Sequence, residues 1–282
     1  MNLEEAIIDK NKALKVVITM VVILLLIIFF VRNFESFRQI RIYNFWLLFP
    51  LIISFVLFLV TNGIVLKELL LPFKIELSIK EWFGLSVITT AGNLLTPLQG
   101  GMVTRALYLK SKHDFSYTNF LSALSGIYII VFWVNSFVAL IAMLLIGHYY
   151  SVFNWLVFVT FLIIFLGLSF IIVISPKIKK TFKLEILNKA VRVVNGWLVI
   201  KNSKKTILAV TIISLINVFL MSVSSFLEFR VIGVEISFLK ALFISIVSTL
   251  SLFVSLTPGS LGIKEAFVAF TSGVVGISSA NA

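Results

Sequence analysis

The chain has 282 residues, 60% of them hydrophobic and only 13% charged, with a mean hydropathy of +1.12, which excludes an ordinary water-soluble domain. Its 24 Lys and Arg against 12 Asp and Glu leave a net charge of +12, but these charges sit in short stretches between long uncharged runs, the pattern of a membrane protein and not of a nucleic-acid binder. There is no cysteine, and His113 and His148 are isolated, so disulfides, thiolate nucleophiles, iron–sulfur clusters and a histidine-built metal site are excluded and no cofactor is expected.

A helix rises about 1.5 Å per residue and a bilayer core is about 30 Å thick, so a span needs roughly 20 apolar residues. Val16 to Val31 is read as a retained span, because Arg32-Asn33-Phe34 and not a small-residue cleavage site follows it. Ile42 to Leu66 is the second. Trp82 to Thr104 is uncharged but interrupted by Gly92-Asn93 and by Thr96-Pro97 through Gly100-Gly101, and is predicted to break in the middle. Phe115 to Pro176 contains no charged residue; His148-Tyr149-Tyr150-Ser151 divides it into two spans joined by a tight turn at the headgroup level.

Lys177 to Lys205 is the most basic segment, and the positive-inside rule makes it cytoplasmic. Within it Leu187, Ala190, Val191, Val194, Trp197 and Leu198 recur at helical spacing, which predicts a helix lying on the inner leaflet. A further span runs from Thr206 to about Leu227. Ala241 to Ile263 is uncharged and broken by Thr257-Pro258-Gly259 and Gly262, and Ala266 to Ala282 forms a hydrophobic end. With Lys177 to Lys205 inside, the amino terminus is also inside, and Arg32, Arg38 and Arg41 fall outside against the rule.

The two broken segments match without gaps at an offset of 161 residues (256 − 95): Leu95, Thr96, Pro97 and Gly101 fall on Leu256, Thr257, Pro258 and Gly262, in a chain with only five prolines. One reading is a duplicated element; the other is that Thr-Pro and Gly simply bend two unrelated membrane helices. The spans before the two segments run in opposite directions, so a duplicated element is inverted, and inverted repeats with interrupted helices point to a transport site near the bilayer midplane. The expected fold is an all-α, polytopic transmembrane bundle with two broken or re-entrant helices. It forms a single integral membrane domain over 1–282, with a first repeat at about 42–147, a second at about 206–282, and a basic cytoplasmic linker at 176–205.

Threonine before proline can act as N-cap and first residue of a short helix, leaving bare amides and a positive dipole end facing the break. Such a helix start attracts phosphate, and an anionic lipid headgroup is the expected guest. Gly101 and Gly262 would let backbone or ligand approach. Arg105 is read as a phosphate ligand, with Glu265 balancing it or meeting a cationic headgroup; alternatively Arg105 sits at the inner interface with Lys110 and Lys112, and Lys264 snorkels outward. The candidate substrate-binding residues are Asn93, Thr96, Pro97, Gly101, Arg105, Thr257, Pro258, Gly262 and Glu265, with no catalytic or metal-binding residue.

Asn93-Leu94-Leu95-Thr96-Pro97 through Gly101 and Arg105-Ala106-Leu107, together with Leu256-Thr257-Pro258-Gly259-Ser260-Leu261-Gly262-Ile263-Lys264-Glu265-Ala266, resemble the lysylphosphatidylglycerol synthase transmembrane region, also described as the flippase-like integral membrane family. The likeness covers nearly the whole chain. It implies a polytopic fold that, attached to an aminoacyl-lipid synthase, moves the modified phospholipid between leaflets; stand-alone relatives are associated with glycolipid or polyprenyl-linked sugar pathways. Members often carry an acidic residue where this chain has Met102-Val103-Thr104, and a Glu-Arg pair where it has Ser125-Gly126-Ile127-Tyr128, so a headgroup contact from those charges is expected to be missing. The family usually continues through another hydrophobic helix, so the chain is expected to be cut short at its carboxyl end.

An intramembrane aspartyl protease needs two embedded aspartates, and Asp9 and Asp114 both lie at span edges. A serine protease would need His113 or His148 beside its nucleophile, although both lie at predicted turns. No carboxylate cluster suits a glycosyltransferase and no phosphate-binding loop suits ATP hydrolysis. The expectation is therefore a non-enzymatic, multi-pass protein of the cell membrane that handles or translocates an anionic phospholipid or lipid-linked substrate, with membrane lipids as partners. The alternative is a scaffold or partner subunit for an aminoacyl-lipid synthase or glycosyltransferase.

Overall fold

In hydrocarbon a backbone amide finds no partner except its own helix's carbonyls, and the described apolar runs are all helical. The computed structural model describes residues 31, 41–96, 99–175, 177–178, 185–251, 258–260 and 262–276; among them are nine α-helices and no strand. The expected first span, 16–31, lies outside the described residues except for Val31. In chain order the helices are α1 (Leu48–Leu70), α2 (Ile79–Leu95), α3 (Gly100–His113), α4 (Tyr117–Tyr150), α5 (Trp155–Ile174), α6 (Glu185–Lys201), α7 (Lys204–Val231), α8 (Phe238–Thr249) and α9 (Ile263–Val274). Among the described residues four stretches are long and apolar enough to cross a membrane: Phe45–Phe73, Tyr117–Tyr150, Trp155–Ile174 and Lys204–Val231.

Local chemistry sets the boundaries. α1 ends in a 3-10 turn containing Pro72, closed by Lys74 in the left-handed region at φ 62°. Ser116, Asn154, Ser203 and Ser237 stand at the starts of α4, α5, α7 and α8, each side chain accepting from an amide of the first turn, while at the start of α2 the amide and hydroxyl of Ser78 donate to Glu81. The turn between α4 and α5 pivots on Ser151, as the polar break predicts.

The helices form two cores. The larger joins α4, α5, α7 and α8 through residues such as Ile130, Met143, Phe161 and Phe243; the smaller joins α1, α2, α3 and the start of α4 through Leu70, Leu85, Leu109 and Phe115. α1 and α7 pack antiparallel along a polar seam. Ser54 Oγ donates to the Leu220 carbonyl at 3.0 Å and lies 2.8 Å from Ser224 Oγ, while Thr61 meets Asn217, so the partner number falls as the α1 number rises. Small hydroxyl residues allow this approach and bond across it.

The offset seen in the motifs recurs in the helices. α1 and α7 end at Leu70 and Val231, α3 and α9 end at His113 and Val274, and the non-glycine residues Gln99 (φ 54°) and Ser260 (φ 57°) are both left-handed; each pair is 161 residues apart.

The predicted surface helix departs from expectation. α6 docks into the bundle: Trp197 and Ile200 are buried, whereas Leu187 and Val194 of the predicted apolar stripe are exposed. The cause is a small-residue notch, since a Cβ on Gly196 would collide with Ser122, and one on Gly126 would lie 2.5 Å from Ile200 Cδ1. Trp197 Nε1 donates to Ser175 Oγ at 3.0 Å and Asn195 bonds the amide and carbonyl of Ile178, both at 2.9 Å.

Candidate functional site

α2 and α3 form a hairpin. Going from its base to its tip, Glu81 meets His113, Thr89 meets Arg105 and Asn93 meets Met102. Glycine makes the close fit: a Cβ on Gly92 would lie 2.7 Å from Gly101 Cα, and one on Gly101 would strike the Thr89 carbonyl and come 2.8 Å from Asn93 Oδ1. Gly101 therefore seats α3 against α2 and leaves no gap for a ligand. Asn93 Oδ1 accepts the Met102 amide at 3.3 Å, one of the four orphan donors of α3.

Thr96 does not cap α3. It ends α2 with extended backbone (φ −123°, ψ 146°), and its hydroxyl donates to the Gly92 carbonyl at 2.6 Å. α3 starts after Gln99, which makes no side-chain cap bond. The threonine hydroxyl is drawn to the loose carbonyls at the end of its own helix, four residues back, a bond that competes with capping forward. In the second segment Pro258–Ser260 forms a 3-10 turn and α9 begins only after Gly262. Pro97 and Thr257 lie outside the described residues.

Gly262 differs from Gly101. No atom lies within 4 Å of its would-be Cβ, and its φ of 81° is what calls for glycine. Glu265 is exposed and accepts the Gly262 amide at 2.6 Å, capping its own helix. It does not balance Arg105: among the described residues no carboxylate comes within ion-pair distance of that guanidinium.

Arg105 is only 6% exposed. Its Nε–H donates to Thr89 Oγ1 at 2.9 Å, and among the described residues its Nη groups meet no acceptor. The hydroxyl of Tyr128, on α4, lies 3.4 Å from Gln99 Oε1 at the hairpin tip. Lys110 and Lys112, the interfacial companions of the alternative reading, are exposed at the hairpin base. Tyr128 belongs to the Ser125-Gly126-Ile127-Tyr128 stretch where charges were expected to be missing, and it supplies a hydroxyl at the hairpin tip instead.

α8 and α9 pair in the opposite sense. A Cβ on Gly276, beyond the end of α9, would lie 4.0 Å from Lys240 Nζ at the start of α8 and 3.6 Å from Val152 in the α4–α5 turn. The base of this hairpin is thus at the end of the molecule opposite His113 and Lys177. The two breaks meet: a Cβ on Gly259 would lie 2.8 Å from Leu94 Cδ1. Thr89, Gln99 and Tyr128 escaped sequence reasoning. Thr89 had a signal, because Thr89, Asn93 and Thr96 form a polar stripe at helical spacing on an apolar helix.

A polytopic helical bundle with interrupted helices meeting inside it defines a multi-pass membrane protein. A family model of the lysylphosphatidylglycerol synthase TM region matches residues 13–282, and the chain belongs to that family. No curated protein and no solved structure matches it significantly.

Proposed function

We propose that the chain binds the anionic headgroup of a phospholipid or lipid-linked substrate where its two hairpins meet, and passes it between the leaflets of the cell membrane. Arg105 carries this reading. A charge in the middle of a span costs on the order of 2.5–3.5 kcal/mol on insertion scales, so it persists where it has a partner or a task. Here the protein partner is a hydroxyl and not a carboxylate, and a phosphate oxygen pair suits the planar guanidinium fork. The start of α3, with its first amides and positive dipole end, adds to the attraction.

The recurrence of helix ends at 161 residues, the antiparallel α1–α7 seam and the opposite senses of the two hairpins support an inverted repeat whose hairpins are re-entrant, the arrangement that places a site near the midplane. The chemistry is binding and passage, without bond-making by this chain; an aminoacyl-lipid synthase or glycosyltransferase is the partner that would supply the lipid. Reconstituted in vesicles with labelled anionic lipid, the protein is expected to raise leaflet exchange above protein-free vesicles, and exchange no faster than in those vesicles removes translocation. Arg105→Ala is expected to weaken phosphatidylglycerol binding about tenfold, some 1.4 kcal/mol, and Arg105→Lys less. Equal binding by Arg105→Ala and the parent withdraws the site.

A further inference from the structure

A cavity of about 350 Å³ opens between α4, α5 and α6, walled by Ile129, Phe170, Ile178, Val194 and Trp197, with Ser125 and Ser175 among them. Its polar side chains are already satisfied. Ser125 Oγ donates to the Leu121 carbonyl at 2.8 Å, Ser175 Oγ to the Ile171 carbonyl, and Trp197 Nε1 to Ser175 Oγ at 3.0 Å. The wall therefore offers no unmet donor to a headgroup, and an apolar occupant costs it no hydrogen bond.

The cavity's mouth and rim narrow the choice of occupant. Phe170 and Ile171 are 63% and 40% exposed on a helix apolar enough to span the membrane, so this side opens onto lipid tails. The rim is cationic: exposed Lys177 immediately precedes Ile178, exposed Arg192 stands one helical turn before Asn195, whose side chain bonds the amide and carbonyl of Ile178, and Lys201 Nζ donates to the Val173 carbonyl at 2.7 Å at the end of α5. Basic pockets between spanning helices suit anionic lipid headgroups.

We propose that this slot holds one acyl chain of an anionic phospholipid from the adjoining leaflet, with its phosphate among Lys177, Arg192 and Lys201. It is a resident-lipid site separate from the hairpin site of Arg105, and it depends on the membrane setting but not on translocation. The lipid completes the wall that α6 begins, which gives the basic helix a reason to dock by Trp197 and still keep Val194 exposed.

The test uses the whole chain in phosphatidylcholine vesicles containing phosphatidylglycerol with a diazirine near the acyl terminus. Photolysis is expected to label residues from Phe170 to Ile178 and from Val193 to Trp197. Val194→Trp, which fills the mouth from an exposed position, should cut that labelling several-fold. Lys177→Glu combined with Arg192→Glu should cut labelling by the phosphatidylglycerol probe and leave labelling by a diazirine phosphatidylcholine unchanged. Equal labelling by both probes in the parent, or labelling spread along α5 that neither variant reduces, overturns the proposal. Arg105→Ala is expected to retain labelling here while losing hairpin binding, so the two sites fail separately.

Discussion

Glycine does different work at the two breaks. Gly101 is needed for space, because its neighbour across the hairpin is the Thr89 carbonyl, a backbone atom that cannot swing aside; Gly262 is needed for its φ of 81° in an open surrounding. Gly84, on α2, has nothing within 4 Å and no positive φ. Gly101→Ala is therefore expected to destabilise the protein by about 1–3 kcal/mol through overpacking, and to separate Arg105 from Thr89. Gly262→Ala should cost about 1–2 kcal/mol from backbone strain alone, whereas Gly84→Ala should stabilise by about 0.5–1 kcal/mol through helix propensity. Unfolding in detergent orders the three; a neutral Gly101→Ala would contradict the tight hairpin.

At the level of the element, the α2–α3 hairpin is held at its base by one carboxylate. Glu81 accepts from the Ser78 amide at 2.9 Å and the Ser78 hydroxyl at 2.8 Å, and also from Tyr108 and from His113 at 2.9 Å. The backbone bond to Ser78 comes first among the causes that hold its pKa down at about 2, below the ordinary 4.5. A depressed carboxylate stabilises the fold fully above its unfolded pKa and loses that contribution as pH falls from about 4.5 towards 2. Stability of the parent should thus decline across that window more steeply than that of Glu81→Gln. The variant should also be about 1 kcal/mol less stable at neutral pH, from the weakened capping box. Parallel acid-unfolding curves for the two proteins would refute the assignment.

For the whole molecule, the decisive contact is the seam between α1 and α7, because it joins two helices far apart in sequence whose ends share the 161-residue offset. The chain has no cysteine, so a pair introduced by Ser54→Cys and Ser224→Cys reports on one contact only. With the two Oγ atoms 2.8 Å apart, oxidation in membranes is expected to link the pair nearly completely, while Ser54→Cys with Leu208→Cys should stay open because the antiparallel run carries residue 208 to the other end of α7. Linkage of the second pair in preference to the first would overturn the packing. The same arrangement gathers Lys74, Lys110, Lys112, Lys177 and α6 towards one end, while Arg41, Arg230 and Lys240 lie at the other, an excess of positive charge at the first end that agrees with the positive-inside rule.

The sequence by itself determined the class and the punctuation. Uncharged run lengths against bilayer thickness anticipated α1, α4, α5 and α7 to within a few residues, and Gly and Pro marked both interruptions, because hydrocarbon admits few backbone solutions and breakers act locally. The Thr-Pro frame did not set the start of α3, which follows Gln99, because the Thr96 hydroxyl bonds the Gly92 carbonyl behind it; at the second interruption Pro258 opens a 3-10 turn and α9 begins after Gly262. Only the tertiary structure decided that Glu265 caps its own helix, that Arg105 is buried with its Nε–H on Thr89, and that α6 docks by Trp197 and Ile200. Each of those outcomes depends on side chains from segments distant in sequence arriving at one place, and helical periodicity specifies the face of a helix without specifying its neighbour.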